Sequence, residues 1–576
     1  MGTHDEESRL FFAKTSVTYK LAPMLGDRTN SLAQKIGKFV MFTHHQKVIV
    51  CDVARDGGRE PLAFVGGIDL TDGRWDNHLH PLFRTLETDH KNDAYNKCFQ
   101  VDVAKHGPRQ PWRDIHSSVR GPGVRDLLTT FRERWFKQAR DAVGELVDMY
   151  NIGCLEPPQN GSTEKWNTQI FRSIDSRTNQ FEKSRLQRFD DNQINKVFAS
   201  HSAMVADHDQ TKARGGKMSK IKDKMKKAVI LKKGTSNSDL RISRTLQQKK
   251  GRNIDASVHT AMIHNIQWAH HCLYIESQYF LGSSNFWMTN KHVKCGNLIP
   301  ANITLKIIEK INAGERFAAY IVLPMWPEGI PTEKACQTIL YWQWNTIECM
   351  YRRIASAIKK AQKVMGPNRI ALAHPKDYLN FYCLGTREAP LPDETGADAP
   401  LTESKKLSLT EEKLRRTRRH QIYIHSKMMI VDDSVALIGS ANINQRSLDG
   451  ARDSEVAMGM CQPSHIATGE SLPRGDVHGF RLHCWATHMG MVEDVFREPQ
   501  SLECVQRVNE IAERNWKTYM DEDTREMTSY LVPYPIEVGF DGAVKPRPDL
   551  ENGCFPDTEA KVLGSKAMTI PDILVT

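Results

Sequence analysis

The chain has 576 residues, of which 40% are apolar and 26% charged, with a formal net charge of +10. This balance is typical of a globular protein rather than a disordered one, and the length predicts two or more domains or lobes. No stretch reaches the 18 or so consecutive apolar residues of a transmembrane helix, and the positive charge favours an anionic partner without choosing among membrane, nucleic acid and phosphorylated ligand.

In chain order, the strand-like segments come first at residues 48–50 and 63–65, and again at 428–431 and 435–439. Residues 432–434, two aspartates and a serine, suit a tight hairpin turn between the last two strands. Strand-like and helix-like segments alternate, which is typical of an α/β or α+β architecture.

Amphipathic helices are predicted at residues 305–311, 338–361 and 501–519. Residues 155–167 are rich in Pro, Gly, Asn and Ser and are predicted to form a loop. Residues 386–418 are polar and charged and are predicted to form a connection or flexible insertion.

Residues 212–252 carry fifteen Lys or Arg against two Asp, with few aromatic residues. One interpretation is a surface that binds anionic lipid headgroups, because each basic residue near such a surface contributes on the order of 1 kcal/mol. A solvated loop is an equal alternative, and nuclear targeting is a weaker third.

The twelve cysteines are scattered, without a CxxC pair or a zinc-like spacing. We therefore expect most of them to be reduced, as in the cytosol. The N-terminal segment has no apolar stretch of the signal-peptide kind, and Glu6 breaks the myristoylation pattern. Together these features predict a cytoplasmic protein.

The chain contains a weak internal repeat. HQKVIVCD at 45–52 parallels HSKMMIVD at 425–432, and each copy is followed by a glycine turn, at Gly66-Gly67 and at Gly439-Ser440. A duplicated strand–turn unit is the expected sign of two related lobes.

Both copies fit the pattern H-x-K-x-x-x-x-D. Its members are His45, Lys47 and Asp52 in the first copy and His425, Lys427 and Asp432 in the second. Residues i and i+2 of a strand share a face, so each His–Lys pair can point into one cleft. Lysine can neutralise phosphoryl oxygens while histidine attacks phosphorus or moves a proton. The alternative, satisfied histidines on two unrelated strands, is weakened by the second copy and its glycine turn.

With these motifs, the sequence resembles the plant-type enzymes of the phospholipase D superfamily over nearly its whole length. The resemblance is carried by segments such as THHQK, FVGGIDLTDGRWD, PWRDIHSSVRGP, YIESQYFLGSSNFW, IYIHSKMMIVDD and GSANINQRSLDGARDSEVAMG. It implies an α/β fold of two lobes, each a mixed β-sheet flanked by helices. The lobes would be related by a pseudo-twofold axis, with the active site between them.

The resemblance also implies a domain division. Residues 1–154 would form the first catalytic lobe, 155–253 a linker and basic insertion, 254–520 the second catalytic lobe, and 521–576 a C-terminal extension. The C2 domain and the start of the first lobe, which precede the segment MGTHDEES in the family, would be absent. The strand that mirrors residues 274–280 would be missing with them, leaving an unpaired sheet edge.

The family mechanism implies that His45 attacks phosphorus and forms a phosphohistidine. His425 would protonate the departing headgroup alcohol and then activate water. Lys47, Lys427 and Asn442 would hold the phosphoryl oxygens, although Asn442 also fits a simple turn residue.

A catalytic imidazole needs its second nitrogen fixed by a carboxylate. The resemblance assigns Asp114 to the first histidine and Glu455 to the second, with a surface carboxylate as the plain alternative for each. Gln278 would contact the lipid phosphate, or else make a core hydrogen bond. Asp52 and Asp432 would support their motif loops from outside the reaction.

Plant-type enzymes depend on calcium, and His80 matches a position of the family's calcium site; a satisfied histidine near the cleft is the alternative. The family has His and Glu where this chain has Arg113 and Thr487. Calcium needs several oxygen ligands, so these departures weaken the expected site.

The expected activity is hydrolysis of phosphatidylcholine-like lipids to phosphatidic acid and free headgroup alcohol, with transfer to small alcohols as a side reaction. The expected partner is a phospholipid membrane surface, bound peripherally, with anionic phosphoinositides as a further candidate and no nucleic acid. Two alternatives stay open: another phosphodiesterase of the superfamily, such as a nuclease or phospholipid synthase, and a catalytically impaired membrane-binding or signalling relative.

Overall fold

The computed structural model describes residues 5–22, 42–55, 58–98, 107–146, 166–180, 254–365, 373–390, 409–466, 472–567 and 569–576. The basic segment 212–252 and nearly all of the predicted loop at 155–167 lie outside these ranges.

The described strands are β1 (Val48–Arg55), β2 (Gly58–Gly66), β3 (Trp112–Arg113), β4 (His116–Arg120), β5 (Asn167–Asp175), β6 (Ile254–Ala256), β7 (Cys272–Ser277), β8 (Ala318–Val322), β9 (Leu379–Arg387), β10 (Arg419–Ile424), β11 (Lys427–Val431), β12 (Val435–Gly439), β13 (Glu455–Cys461), β14 (Leu531–Pro533), β15 (Ile536–Val538) and β16 (Val544–Pro546). The α-helices are α1 (Asp5–Phe12), α2 (Gly123–Gln138), α3 (Ser257–Trp268), α4 (Ile299–Ala313), α5 (Lys334–Met365), α6 (Leu409–Thr417), α7 (Gln445–Leu448), α8 (Asp476–Met489), α9 (Leu502–Met520) and α10 (Asp572–Val575).

A small antiparallel sheet, in the order β1-β2-β4, forms the first lobe. Its middle strand buries Ala63 and Val65 against Val119 and against Val456 and Met458 of β13. The first lobe therefore shares its core with the second. Within the described residues β1 pairs with β2 alone.

The second lobe is built on a mixed sheet of eleven strands in the order β3-β10-β9-β8-β7-β11-β12-β13-β5-β6, with β14 added to β9. Successive side chains of β11 alternate between its two faces. Met429 and Val431 join a core that includes α3, α4 and α5, whereas Met428 and Ile430 join one that includes α8 and α9. The sheet is thus covered by helices on both sides, which confirms the predicted α/β architecture.

The predicted hairpin between β11 and β12 is confirmed. Asp432 and Asp433 have φ angles of 50° and 49°, left-handed values that aspartate tolerates in a turn, and the Ser434 N–H closes the turn by donating to the carbonyl of Val431 at 3.0 Å. The three predicted helices lie within α4, α5 and α9, and Ser501 caps α9 by accepting a hydrogen bond from the Cys504 N–H at 3.1 Å.

Three predicted boundaries need correction. β5, placed in the linker, pairs along its whole length with β13, and α6 lies within the predicted connection at 386–418. β14, placed in a separate extension, pairs with β9. Short strands such as these depend on partners distant in sequence, so local composition does not reveal them. No helix among the described residues has the length and apolar character needed to span a bilayer.

Candidate active site

The first motif histidine is held by the second lobe. The His45 N–H donates to the carbonyl of Ser454 at 3.0 Å. The His45 Nδ1 lies 3.0 and 3.2 Å from the two carboxylate oxygens of Glu455 and 3.1 Å from the carbonyl of Ser440. Because every neighbour of Nδ1 is an acceptor, Nδ1 carries a proton, and in the neutral imidazole Nε2 then keeps its lone pair. Glu455 is itself fixed by the hydroxyls of Ser440 and Ser447, at 2.6 and 2.7 Å.

The second motif histidine is held by the first lobe in the same way. The His425 N–H donates to the carbonyl of Arg113 at 2.8 Å, and Nδ1 lies 2.7 Å from the Asp114 carboxylate. Asp114 also accepts from the Ile115 N–H at 2.9 Å. The Trp112 ring lies against His425 with a centroid separation of 4.9 Å.

The two acid–histidine pairs are therefore crossed relative to the sequence prediction. Asp114 serves His425 and Glu455 serves His45, whereas the opposite pairing was expected. In each case the histidine N–H bonds to the residue just before the acid, in the other lobe. The backbone pairing of each motif across the lobe boundary thus brings the acid of one lobe under the imidazole of the other.

The rings of His45 and His425 face each other with centroids 6.4 Å apart and planes at 69°. Reacting atoms in a near-attack geometry lie about 3–3.5 Å apart. One phosphorus atom therefore fits between the rings, and the site brings together two motifs that are 380 positions apart in the chain.

Two amides surround the second lysine. The Lys427 ammonium donates to Gln278 Oε1 at 3.0 Å and to the carbonyl of His425. The same Oε1 accepts from the Asn442 amide at 3.2 Å, and the Gln278 amide donates to the Tyr423 hydroxyl at 2.9 Å. The structure thus brings Gln278 and Asn442 to Lys427, while their contact with a phosphate stays a prediction.

Burial sets the protonation of this half of the site. Burial, aided by the charges of Lys427 and Lys47, holds the pKa of His425 well below its usual value. Burial also lowers the pKa of Lys427 to about 7 and raises that of Asp114, although Lys427 opposes the latter shift. His425 is therefore a neutral imidazole in the free protein at neutral pH.

A family model described as "Phospholipase D" matches residues 1–213 and 186–564 of the chain. The chain belongs to the phospholipase D family. Phospholipase D beta 2 of Arabidopsis thaliana is 40% identical over 98% of the chain and 56% of its own length. Phospholipase D alpha 1 of Zea mays is 41% identical over all of the chain and 64% of its own length. The chain thus spans roughly half to two thirds of the length of these relatives.

Among solved structures, NucT from Helicobacter pylori covers 36% of the chain, and the chain covers 77% of NucT, at 12% identity and a TM-score of 0.17.

One residue of the site could not be assigned from the motifs alone. Asp69 lies 3.1 Å from the Lys47 ammonium and 3.9 Å from His425 Nε2. Burial opposes its ionisation, but Lys47 and then His425 outweigh that effect and hold its pKa below the usual value. Asp69 follows Gly66 by three positions, as Asn442 follows Gly439, so the internal repeat carried a signal for it.

The glycine turn before Asp69 is required by close packing. A Cβ on Gly67 would lie 2.2 Å from the Asp114 carboxylate and 3.1 Å from the carbonyl of His425. Only glycine lets the first-lobe turn approach the acid of the second histidine this closely.

The two motif aspartates differ. Asp432 accepts from the backbone N–H groups of His270, His271 and Cys272 at 2.6, 2.7 and 2.8 Å, which matches its predicted supporting role. Asp52 is 66% exposed and pairs with Arg59 on its own hairpin, and its predicted support of the motif loop stays a prediction.

The expected calcium site does not fit the residues present. His80 Nδ1 lies 2.9 Å from Asp76, but the Asp76 carboxylate is already taken by the Arg109 guanidinium at 3.0 Å and the Trp112 N–H at 2.7 Å. Nearby Arg113 pairs with Glu276 at 3.1 Å, so a fixed cation stands where the family has histidine. No group of three or more His, Cys, Asp or Glu suited to a metal occurs in the described part of the chain.

Proposed function

We propose that this chain is a phospholipase D that hydrolyses phosphatidylcholine-like lipids to phosphatidic acid and the headgroup alcohol. The observation that carries the proposal is the facing pair of imidazoles. Each ring has Nδ1 held by a buried carboxylate from the other lobe, and the centroids stand 6.4 Å apart. The lysines at Lys47 and Lys427 give this gap the positive charge that a phosphodiester requires.

In the first step, His45 Nε2 attacks phosphorus and the bond to the headgroup oxygen breaks. Glu455 supports the positive charge that develops on the attacking ring. His45 is the more accessible of the two histidines, with 23% of its side chain exposed against 4% for His425. The headgroup oxygen leaves with a proton from His425 Nε2.

His425 must carry that proton although its pKa is depressed in the free site. A bound phosphodiester places a negative charge beside Lys47 and Lys427, whose charges help to depress it, and therefore favours protonated His425. In the second step, water loses a proton to His425 and attacks phosphorus. The P–N bond to His45 breaks, and phosphatidic acid leaves.

No step is assigned to calcium, because the Asp76 carboxylate beside His80 is already satisfied by the Arg109 guanidinium and the Trp112 N–H. Peripheral association with a phospholipid surface is part of the proposal. Phosphoinositide binding by residues 212–252 stays a prediction, since that segment lies outside the described residues.

The test is choline release from phosphatidylcholine vesicles by the chain and by His45→Ala, His425→Ala and the surface control His292→Ala. We expect release by the chain and the control, and none by the two site variants. Equal release by His425→Ala would refute the two-histidine mechanism. Firm vesicle binding without release would favour the impaired relative, and cleavage of DNA would favour a nuclease.

A soluble diester with a p-nitrophenolate leaving group separates the two roles, because that group leaves without a proton. His425→Ala should then release one equivalent of nitrophenolate and retain the phosphoryl mass on His45 in a peptide digest. His45→Ala should release none. Phosphate found on residue 425 of the His45→Ala variant would reverse the assignment.

A further inference from the structure

One loop beside the active site exposes its large apolar side chains. In residues 69–80, Leu70 is 86% exposed, Leu79 is 62% exposed and Trp75 is 51% exposed. Two charged side chains of the same loop are turned inward, with 4% of Asp76 and 11% of Arg74 exposed, whereas Asp72 is exposed. Large apolar side chains that stay in solvent beside buried charged ones are unusual on a soluble surface, and exposed apolar groups of this kind mark an interaction site.

The inward side chains tie this loop to the reaction centre. Asp69 contacts Lys47 at 3.1 Å, and the Arg74 guanidinium lies 4.0 Å from the centre of the Trp112 ring, which itself lies against His425. Asp76 accepts the Trp112 N–H at 2.7 Å.

Each exposed apolar side chain is next in sequence to one of these anchored residues or to buried His80. The leucines and the tryptophan therefore lie on the loop whose inward side chains reach the reaction centre, rather than on a distant surface.

The loop is also held firmly enough to present these side chains. The Gly73 N–H donates to the Asp93 carboxylate, the Trp75 ring packs on His90 with centroids 5.0 Å apart, and the Tyr530 hydroxyl donates to the carbonyl of Leu79 at 3.2 Å. None of these contacts uses the leucine side chains, which stay free to enter an apolar phase.

We propose that Leu70, Trp75 and Leu79 form an interfacial loop that inserts into the outer part of a phospholipid layer and presents a headgroup phosphate to His45 and His425. The choice of a lipid surface rests on the proposed function. It is favoured over a protein partner because the exposed apolar side chains lie on a loop that reaches a site built to receive an anionic diester. A lipid surface supplies apolar chains and such a diester side by side, and the indole of tryptophan suits the boundary between them.

The test compares Leu70→Ser/Leu79→Ser with the control Val364→Ser/Val492→Ser, which removes two exposed aliphatic side chains elsewhere, 84% and 62% exposed. Binding is measured by co-sedimentation with neutral phosphatidylcholine vesicles, so that the net charge of the chain contributes little. We expect the loop variant to bind at least about tenfold more weakly, given the free energy of burying two leucines, and the control to bind like the parent chain.

Turnover of a soluble nitrophenyl diester should be unchanged in the loop variant. The proposal of an interfacial loop would be overturned if the loop variant and the control variant bound vesicles equally, whether both bound like the parent chain or both bound more weakly. If turnover of the soluble diester by the loop variant fell as much as its vesicle binding, the leucines would act on the active site itself. Unchanged vesicle binding with loss of self-association would make them a contact between copies. If the parent chain binds vesicles through this loop but releases no choline, the proposed function fails while the interfacial loop stands.

Discussion

The two halves of the active site carry the same motif in different surroundings. The second half lies in the middle of an eleven-stranded sheet, with Lys427 and Asp432 buried. The first half leads into β1, which among the described residues pairs with β2 alone in a three-stranded sheet, and Asp52 on that strand is exposed to solvent. Identical spacing therefore gives one half that is buried from water and one half that is more accessible to it. We infer that this asymmetry, rather than the motif, divides the roles of the two histidines.

The crossed acid pairing gives the largest expected effects. Asp114→Asn and Glu455→Gln should each lower kcat by about 10³- to 10⁴-fold, because an amide can hold the wrong imidazole tautomer. This corresponds to about 4–5.5 kcal/mol of transition-state stabilisation. The measurement is turnover of vesicle lipid and of the soluble diester.

Nitrogen NMR of histidine-labelled protein tests which acid serves which ring. Asp114→Asn should shift the His425 resonances and leave those of His45 in place, and Glu455→Gln should do the reverse. The opposite pattern would show that the pairs are not crossed.

The motif aspartates should differ most in stability. Asp432→Ala leaves three backbone N–H groups without an acceptor, one of them buried and two partly buried, and should destabilise the fold by on the order of 3–5 kcal/mol. Asp52→Ala removes an exposed ion pair and should change stability by less than about 0.5 kcal/mol. Urea unfolding of both variants gives the comparison, and equal shifts in midpoint would contradict it.

The pKa of Lys427 predicts an alkaline limb in the pH profile, that is, a loss of activity as the pH rises. Its pKa of about 7 means that it is charged below that pH and neutral above it, so its attraction for phosphate is present at low pH and lost as pH rises through 7. The value of kcat/KM should then fall about fivefold between pH 7 and pH 8 if this one proton is required. Lys427→Arg should remove the limb, since guanidinium stays charged, whereas Lys47→Arg should leave it. If the fall in kcat/KM disappeared in the Lys47→Arg variant instead, the titrating group would be Lys47 and not Lys427.

Asp69 and Asn442 occupy equivalent places in the two halves, and exchanging their chemistry gives the smallest expected effect. Asp69→Asn removes a negative charge 3.1 Å from the Lys47 ammonium at a partly exposed position. Inorganic phosphate should then inhibit about three- to fivefold more strongly. Asn442→Asp should weaken that inhibition, because it adds the same charge to the buried half. If inhibition by inorganic phosphate were unchanged in both variants, phosphate would bind away from Asp69 and Asn442.

Several features could be predicted from residues alone. The short apolar runs at residues 48–50 and 428–431 predicted the two motif strands, and the pair of aspartates predicted the turn before β12. Asp69 was also within reach of the sequence, through the spacing from the glycine turn. β5 was not, because its nine residues are stabilised by pairing with β13, a partner roughly 290 positions away in the sequence, which propensity does not reveal.

The sequence by itself determined the chemistry of this protein: two histidines, two lysines and their strands, since residue type and a period of two are local properties. Only the tertiary structure decided which acid serves which histidine, which half is dry and which apolar side chains reach solvent. These depend on how backbone segments of the two lobes pair and on how deeply each strand is covered. Hydrogen bonding between distant segments and exclusion of water are properties of the assembled sheet, and no single stretch of sequence specifies them.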